Sequence, residues 1–539
     1  LEDFKYRTED IRSDEILELY VPTAKDAEIV SQLKSSNPIV LEGSRGTGKS
    51  LLMRVAEAEF LKSFLVDRVL PVYVTFRRST LIQTSDPVQF HSWMVARFCA
   101  QILTALRKTG VLSGMSSALS LLAGQATYSV QSQNTRIEEI AAAYEESYKK
   151  PGETVDRSGL PDVDQLRDAI EELCQSVNLK RVTVFFDEAA HIFRPEQQRQ
   201  FFTLFRDLRS PYIACKAAVY PGVTSFGDSF QKAHDATWLQ INRDILSQNY
   251  ISDMRQIVER QASSDLMAAI ARNEKNFAIL AYAVSGNPRL LLKTSAKASK
   301  MTSQDINEVI KKFYRTEVWS EHSNLVDLYP GHKSLIDWGR RFIEGQVLND
   351  TKKKNDARRI GDKDESTCYF WIHRDSPEAV KEALRLLSYT GVVTNESDGI
   401  RATRSEIGTR YAVNLGCLFA LEAKAAAVAF EIAKQLNPKR FTEYGANYSA
   451  YKSLVEDCEE YAEPDISVEV LNKQLEKPLA VLDITAWQRE TLLEAGYRTV
   501  GAVLQSNELG LQEIRNIGEK RSRRIMNAAM SSVLEYLSG

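Results

Sequence analysis

The chain has 539 residues, of which 43% are hydrophobic, and a formal net charge of -3. That length suits roughly three to five globular domains, and the near-neutral charge excludes a polycation. Any nucleic-acid contact must come from local patches.

Six cysteines (Cys99, Cys174, Cys215, Cys368, Cys417, Cys458) are scattered with no CxxC pair, and the six histidines, among them His91, His191 and His373, show no metal-ligand spacing. This argues against a zinc cluster or a disulfide scaffold. Neither a leader-like N-terminus nor a long uninterrupted apolar run is seen. The expectation is a cytoplasmic protein without membrane contact.

In chain order, the first strong signal is NPIVLEGSRGTGKSLLMRV, Asn37–Val55. Ile39–Leu41 predicts a strand, and a helix begins near Leu51. Between them Gly43, Ser44, Arg45, Gly46, Thr47, Gly48, Lys49 and Ser50 match G-x-x-x-x-G-K-[ST] in full. The glycines let backbone N–H groups turn towards phosphate oxygens, and the helix N-terminus adds a favourable dipole. Lys49 is the candidate for the β/γ phosphates, Ser50 for Mg²⁺, and Leu51 completes the loop. ATP and Mg²⁺ are therefore the expected cofactors.

PVYVTF, Pro71–Phe76, predicts a second strand. The next recognisable strand begins only at Arg181, so a stretch of about 90 residues is extra or enlarged. This insertion, about 85–165, contains an amphipathic helix over His91–Lys108, a small-residue run from Val111 and a polar helix over Gln133–Lys150. It would serve as a partner surface or as a helical cap on the core.

RVTVFFDEAAH, Arg181–His191, is an apolar strand ending in acid. Asp187 is the expected second Mg²⁺ ligand, through water, and Glu188 the residue that polarises an attacking water.

The glycine loop and this Asp-Glu pair resemble an AAA+ ATPase, particularly the ORC/Cdc6 group and its prokaryotic relatives. The resemblance implies a γ-phosphate sensor after the next strand, Ala217–Tyr220, with Tyr220 or Thr224 in that place. It implies a helical lid with an arginine facing the nucleotide; VSGNPRLLLK, Val284–Lys293, supplies Arg289. It also implies self-assembly with an arginine acting in trans, for which Arg206, Arg209 and Arg243 are candidates.

Beyond the lid, NDTKKKNDARRIGDKDE, Asn349–Glu365, predicts a charged mobile loop, with phosphate contact as the other reading. Ser376–Val393 predicts a helix capped by Ser376. Gly391–Asn414 predicts a hairpin turning at Asn395–Gly399. This helix and hairpin resemble the family's winged-helix domain, often a duplex-DNA contact. Arg401, Arg404 and Arg410 lie on or after its second strand. A helical, acidic bracket follows from Leu421.

Leu482–Leu537 holds two helix–turn–helix units, with turns at Gly496 and at Ile517–Gly518. They resemble a tandem helix–hairpin–helix, especially the C-terminal domain of RNA polymerase alpha subunits. In those relatives the hairpin amides meet a DNA phosphate. Here Asn516, Gly518, Lys520 and Arg521 would do so. Yet Glu476–Gly539 holds eight acidic and eight basic residues, so the segment is neutral.

The expected fold class is an α/β P-loop NTPase (AAA+) core with a helical lid, a winged-helix-like domain and a small all-α helix-hairpin-helix domain. The boundaries are 1–250 for the core, 251–312 for the lid, 313–420 for the winged-helix-like domain, 421–475 for a linker and 476–539 for the tail. The expected function is a self-assembling ATPase that couples nucleotide state to double-stranded DNA or to a separate effector protein. The family analogy suggests a prokaryotic anti-phage defence setting. A nucleotide-gated scaffold and a replication-initiator-like ATPase are the alternatives.

Overall fold

The computed structural model describes residues 4–537 except 77, 79–81, 83–87, 112–116, 125–134, 150–151, 189–194, 223, 225, 228–229, 329, 362–364, 404, 461–474 and 483. Arg404, His191 and parts of the run after Val111 fall outside the described residues. The chain forms two compact units. The first is Leu1–Ala271 with Gly286–Ala296; the second is Arg272–Ser285 with Lys297–Gly539. Residues 251–312, expected as one lid, are shared between them.

The first unit is built on five parallel strands: β1 (Ile39–Glu42), β2 (Val69–Thr75), β3 (Arg181–Asp187), β4 (Ile213–Val219) and β5 (Thr237–Gln240). Their order is β2-β3-β4-β1-β5. β3 and β4 are buried along their whole length, as parallel strands covered on both faces must be. In the β2–β3 register Thr75 stands opposite Asp187. That pairing puts the end of β2 beside the acidic pair.

The insertion is part of the core. Helix Gln89–Thr109 buries Trp93, Phe98, Ile102 and Leu106 in the cluster that also holds Phe186 and Phe201. Helix Arg136–Glu146 starts with a capping box, Thr135 and Glu138, which satisfies N-terminal amides that a helix otherwise leaves open. Glu138 also meets Arg107 at 2.8 Å. Of the two roles expected for the insertion, the arrangement is that of a helical cap.

The second unit carries a four-stranded sheet, β7-β8-β6-β9: β6 (Tyr369–His373), β7 (Val393–Arg401), β8 (Ile407–Val413) and β9 (Phe441–Tyr444). Three sequence expectations change here. The expected loop Asn349–Glu365 is largely a helix, Leu348–Ile360, with residues 362–364 outside the described residues. Leu348, Thr351 and Asn355 form its buried face, and the Asn355 amide bonds both the carbonyl and the N–H of Thr367. The hairpin does not turn at Asn395–Gly399, which belongs to β7. Two register shifts absorb the turn-forming residues there, and the chain reverses over 402–406, where Ser405 has φ 61. Finally, the bracket from Leu421 is not purely helical, because β9 pairs in parallel with β6.

At the C-terminal end, helices Ala486–Glu494, Val500–Gln512 and Glu519–Leu537 close over a small core of their own. Leu492, Val503, Leu511, Ile517 and Ile525 are its centre.

Candidate nucleotide site

The loop between β1 and helix Lys49–Lys62 bends through two left-handed glycines, Gly46 (φ 87) and Gly48 (φ 102). A side chain would be strained at either. At Gly46 it would also collide: an added Cβ would lie 2.9 Å from Oδ1 of Asn287 and 3.0 Å from Cβ of Arg289. The Asn287 amide donates to the Arg45 carbonyl at 2.8 Å. The Gly-Asn-Pro-Arg turn is therefore a wall of the glycine loop.

Lys49 is buried. Its ammonium donates to the carbonyls of Gly43 and Ser44 and lies 3.9 Å from the centre of the Tyr220 ring. Burial pushes its pKa down to about 7; Asp187 opposes this shift, and Arg289 adds to it. Both charges thus lie within electrostatic reach of Lys49. Ser50 and Leu51 begin the helix that Lys49 opens.

Asp187 is 6% exposed at the end of β3. Its Oδ2 accepts from the Tyr73 hydroxyl, and its Oδ1 accepts from the Glu188 N–H at 2.9 Å. Glu188 stands in the left-handed region (φ 58), a costly place for a side chain other than glycine. The Thr75 hydroxyl donates to its Oε2 at 3.3 Å. Tyr73 and Thr75, two apart on β2, share one face of the strand, and each holds one member of the acidic pair. Sequence reading missed both. The available signal was two hydroxyl side chains at i and i+2 in PVYVTF.

Of the sensor candidates, Tyr220 lies beneath Lys49, while the Thr224 hydroxyl donates to the Tyr220 carbonyl at 2.8 Å. Arg289 donates from Nε to the Tyr6 carbonyl at 3.1 Å. Arg206 meets Asp207 at the end of helix Pro195–Asp207, and Arg209 is exposed just beyond. Arg243 does not fit action in trans. Its Nη2 reaches both Asp26 oxygens, at 2.9 and 3.0 Å, and its Nη1 reaches the Thr47 carbonyl at 2.8 Å. That guanidinium is committed inside its own unit, where it braces the glycine loop. The sequence hid this because Asp26 lies far upstream.

The tail residues are far along the chain, in the second unit. The left-handed residue of that hairpin is Asn516 (φ 71). Gly518 has open space where a Cβ would sit. Arg521 donates to the Asn516 carbonyl at 2.7 Å and lies 4.9 Å from the centre of the Trp487 ring, and Lys520 is exposed.

A parallel sheet in the order β2-β3-β4-β1-β5, with a glycine loop after β1 and an Asp-Glu pair at the end of β3, is the core of an AAA+ P-loop NTPase. The ORC-CDC6-like family model matches residues 4–370, and the chain belongs to that family. Among solved structures, the chain is similar to the Aeropyrum pernix ORC1 protein in complex with DNA: 14% identity, TM-score 0.31, covering 78% of this chain and 93% of that one. It is similar to the Aeropyrum pernix ORC2 protein in ADPNP-ADP complexes: 11% identity, TM-score 0.34, 80% and 95% covered. It is also similar to AMPPCP-bound DnaA from Aquifex aeolicus: 13% identity, TM-score 0.24, 60% and 81% covered. A comparison with curated proteins finds no match.

Proposed function

We propose that the chain binds and hydrolyses ATP with Mg²⁺, and that nucleotide state controls its grip on DNA or on a partner protein. The observation that carries this reading is the placement of Asp187 and Arg289 about the buried Lys49, on a loop whose Gly46 has no room for a side chain and whose Gly48 is left-handed. The residues fit the group. Backbone N–H groups of the loop and Lys49 would hold phosphates, and Ser50 and Asp187 would hold the metal. Bound Mg²⁺ would neutralise charge on the phosphates. Glu188 would orient the attacking water, and Arg289 would offset negative charge.

In this reading the chain assembles with itself, and the exposed Arg209 and neighbouring Arg206 are the candidates to act on the next subunit's nucleotide. Helix Glu378–Thr390 with the β7–β8 hairpin acts as the winged-helix-like element. The tail acts as a helix–hairpin–helix, with Asn516, Gly518, Lys520 and Arg521 near a phosphate.

The test is ATP hydrolysis with and without duplex DNA, in the wild type and in Glu188→Gln. The variant is expected to bind ATP and turn it over at least about a hundredfold more slowly, and DNA is expected to raise the wild-type rate. Equal rates in both proteins would remove the hydrolytic reading. Turnover that ignores DNA, with no DNA retained, would leave a protein partner as the target.

A further inference from the structure

The second unit contains a concavity of about 670 Å³ that the nucleotide chemistry leaves unused. It is walled by helix Leu348–Ile360, by the β7–β8 hairpin near its turn and by the chain entering β9. Six cations line it: Lys354, Arg358, Arg401, Arg410, Lys439 and Arg440. Glu443 is the single carboxylate among the described lining residues, and its Oε1 already accepts from the N–H and the hydroxyl of Thr403.

Most of these cations face no carboxylate partner among the described residues. Arg440 meets Glu365 at 2.9 Å. The other five have no carboxylate within 4 Å among the described residues. Lys352 and Arg359, on the same helix as Lys354 and Arg358, are paired with Glu422 and Asp356. Among the described residues, Nη1 of Arg358 and Nε of Arg410 are buried without an acceptor. The Lys354 ammonium donates to the Phe441 carbonyl at 3.0 Å. Burial, and then the charge of Arg358, lower its pKa.

Crowding like charges without counter-charges is costly unless an anion completes the set. Guanidinium forks are suited to phosphate oxygens. The volume falls in the range of small-molecule sites, and Phe441 and Ile400 add apolar wall.

We propose that this concavity is a second anion site, separate from the glycine loop, which takes a phosphate-bearing ligand of nucleotide size. The phosphates come from a free nucleotide or from the backbone of a nucleic acid. The site stands on its own cations and does not depend on the glycine loop binding ATP.

The test uses the full chain with Lys49→Ala, which weakens the first site. Titrations with ADP, pyrophosphate and a short duplex DNA are compared with those of the same chain carrying Arg401→Glu and Lys439→Glu. Both residues are exposed, so the variant should keep its melting temperature, which is measured alongside. Loss of about tenfold or more in affinity for any probe supports the site. If ADP and pyrophosphate respond, the source is a free nucleotide. If only DNA responds, with a shallower salt dependence in the variant, the source is a nucleic-acid backbone. Affinities unchanged by the double reversal, or lost only on Lys520→Glu with Arg521→Glu in the tail, overturn the proposal.

Discussion

The Tyr73 hydroxyl donates to Oδ2 of Asp187, and the tyrosine ring has the Arg54 guanidinium 3.3 Å from its centre on one face. The proposed metal carboxylate is thus oriented by a residue from the neighbouring strand, which an arginine on the glycine-loop helix in turn holds. Burial, and then the Asp187 charge, keep this phenol protonated far above its ordinary range. It is a permanent donor.

Tyr73→Phe removes that donor while keeping the ring. Carboxylates that bind metals depend on such supporting bonds. The expected outcome is a roughly tenfold rise in the magnesium concentration for half-maximal ATP hydrolysis, with ATP affinity in the absence of metal little changed. A magnesium titration of the rate checks this. Equal magnesium requirements would show that Asp187 is held adequately without Tyr73.

Arg243 and Asp26 form a buried pair, 9% and 4% exposed on their side chains. Arg243→Ala strands the Asp26 carboxylate and removes the donor to the Thr47 carbonyl. A loss of about 3–5 kcal/mol in unfolding free energy is expected. Pairing it with Asp26→Asn should recover part of that loss, because the unpaired charge disappears. Denaturant unfolding of the two single variants and the double variant measures the coupling.

Lys216 is fully buried in β4 and donates to the carbonyls of Ser35 and Asn37. Burial pushes its pKa down to about 7 from 10.5. Between those values the unfolded chain holds more protons at this site than the folded chain. The contribution of Lys216 to stability therefore rises with pH across that window and is least favourable below about pH 7. Lys216→Met should reduce the slope of stability against pH in that window by at most about 1.4 kcal/mol per pH unit. Unfolding curves from pH 6 to pH 9 decide it.

Gly518 needs neither a left-handed backbone nor an empty space for the tail to fold. Gly518→Ala should lower stability by less than about 1 kcal/mol, because Gly518 caps the helix that follows and alanine is the poorer residue in that place. If the tail amides meet a DNA phosphate, the added methyl obstructs that approach and lowers DNA affinity. A retained melting temperature with weaker DNA binding supports the phosphate reading of the tail. Unchanged binding removes it.

The parts legible in the sequence were those where one residue type has one physical reason. The glycine loop required φ > 0, and β3 required an unbroken apolar run with acid at its end. Residues 349–365 misled because their composition is that of a solvated loop. The helix there is held by one polar face, in which Asn355 satisfies the backbone of Thr367, and by the i,i+4 pair of Lys352 with Asp356 at 3.0 Å. NESDG misled because its turn chemistry was spent on bulges within β7. Arg243, Tyr73 and Thr75 were illegible for a third reason: each acts through a partner over 100 residues away in sequence.

Gly286–Ala296 belongs to the first unit, although the residues on both sides of it belong to the second. The P-loop core is therefore discontinuous along the gene. A fragment stopped after residue 271 would contain the whole glycine motif yet lack Asn287 and Arg289, the wall against which Gly46 rests. A stop codon after Ala296 keeps both segments of the core, but it also carries Arg272–Ser285, which belongs to the second unit. Dissecting this protein into working pieces requires keeping that short segment with the core, and an inactive fragment ending at residue 271 would report on the cut rather than on the chemistry.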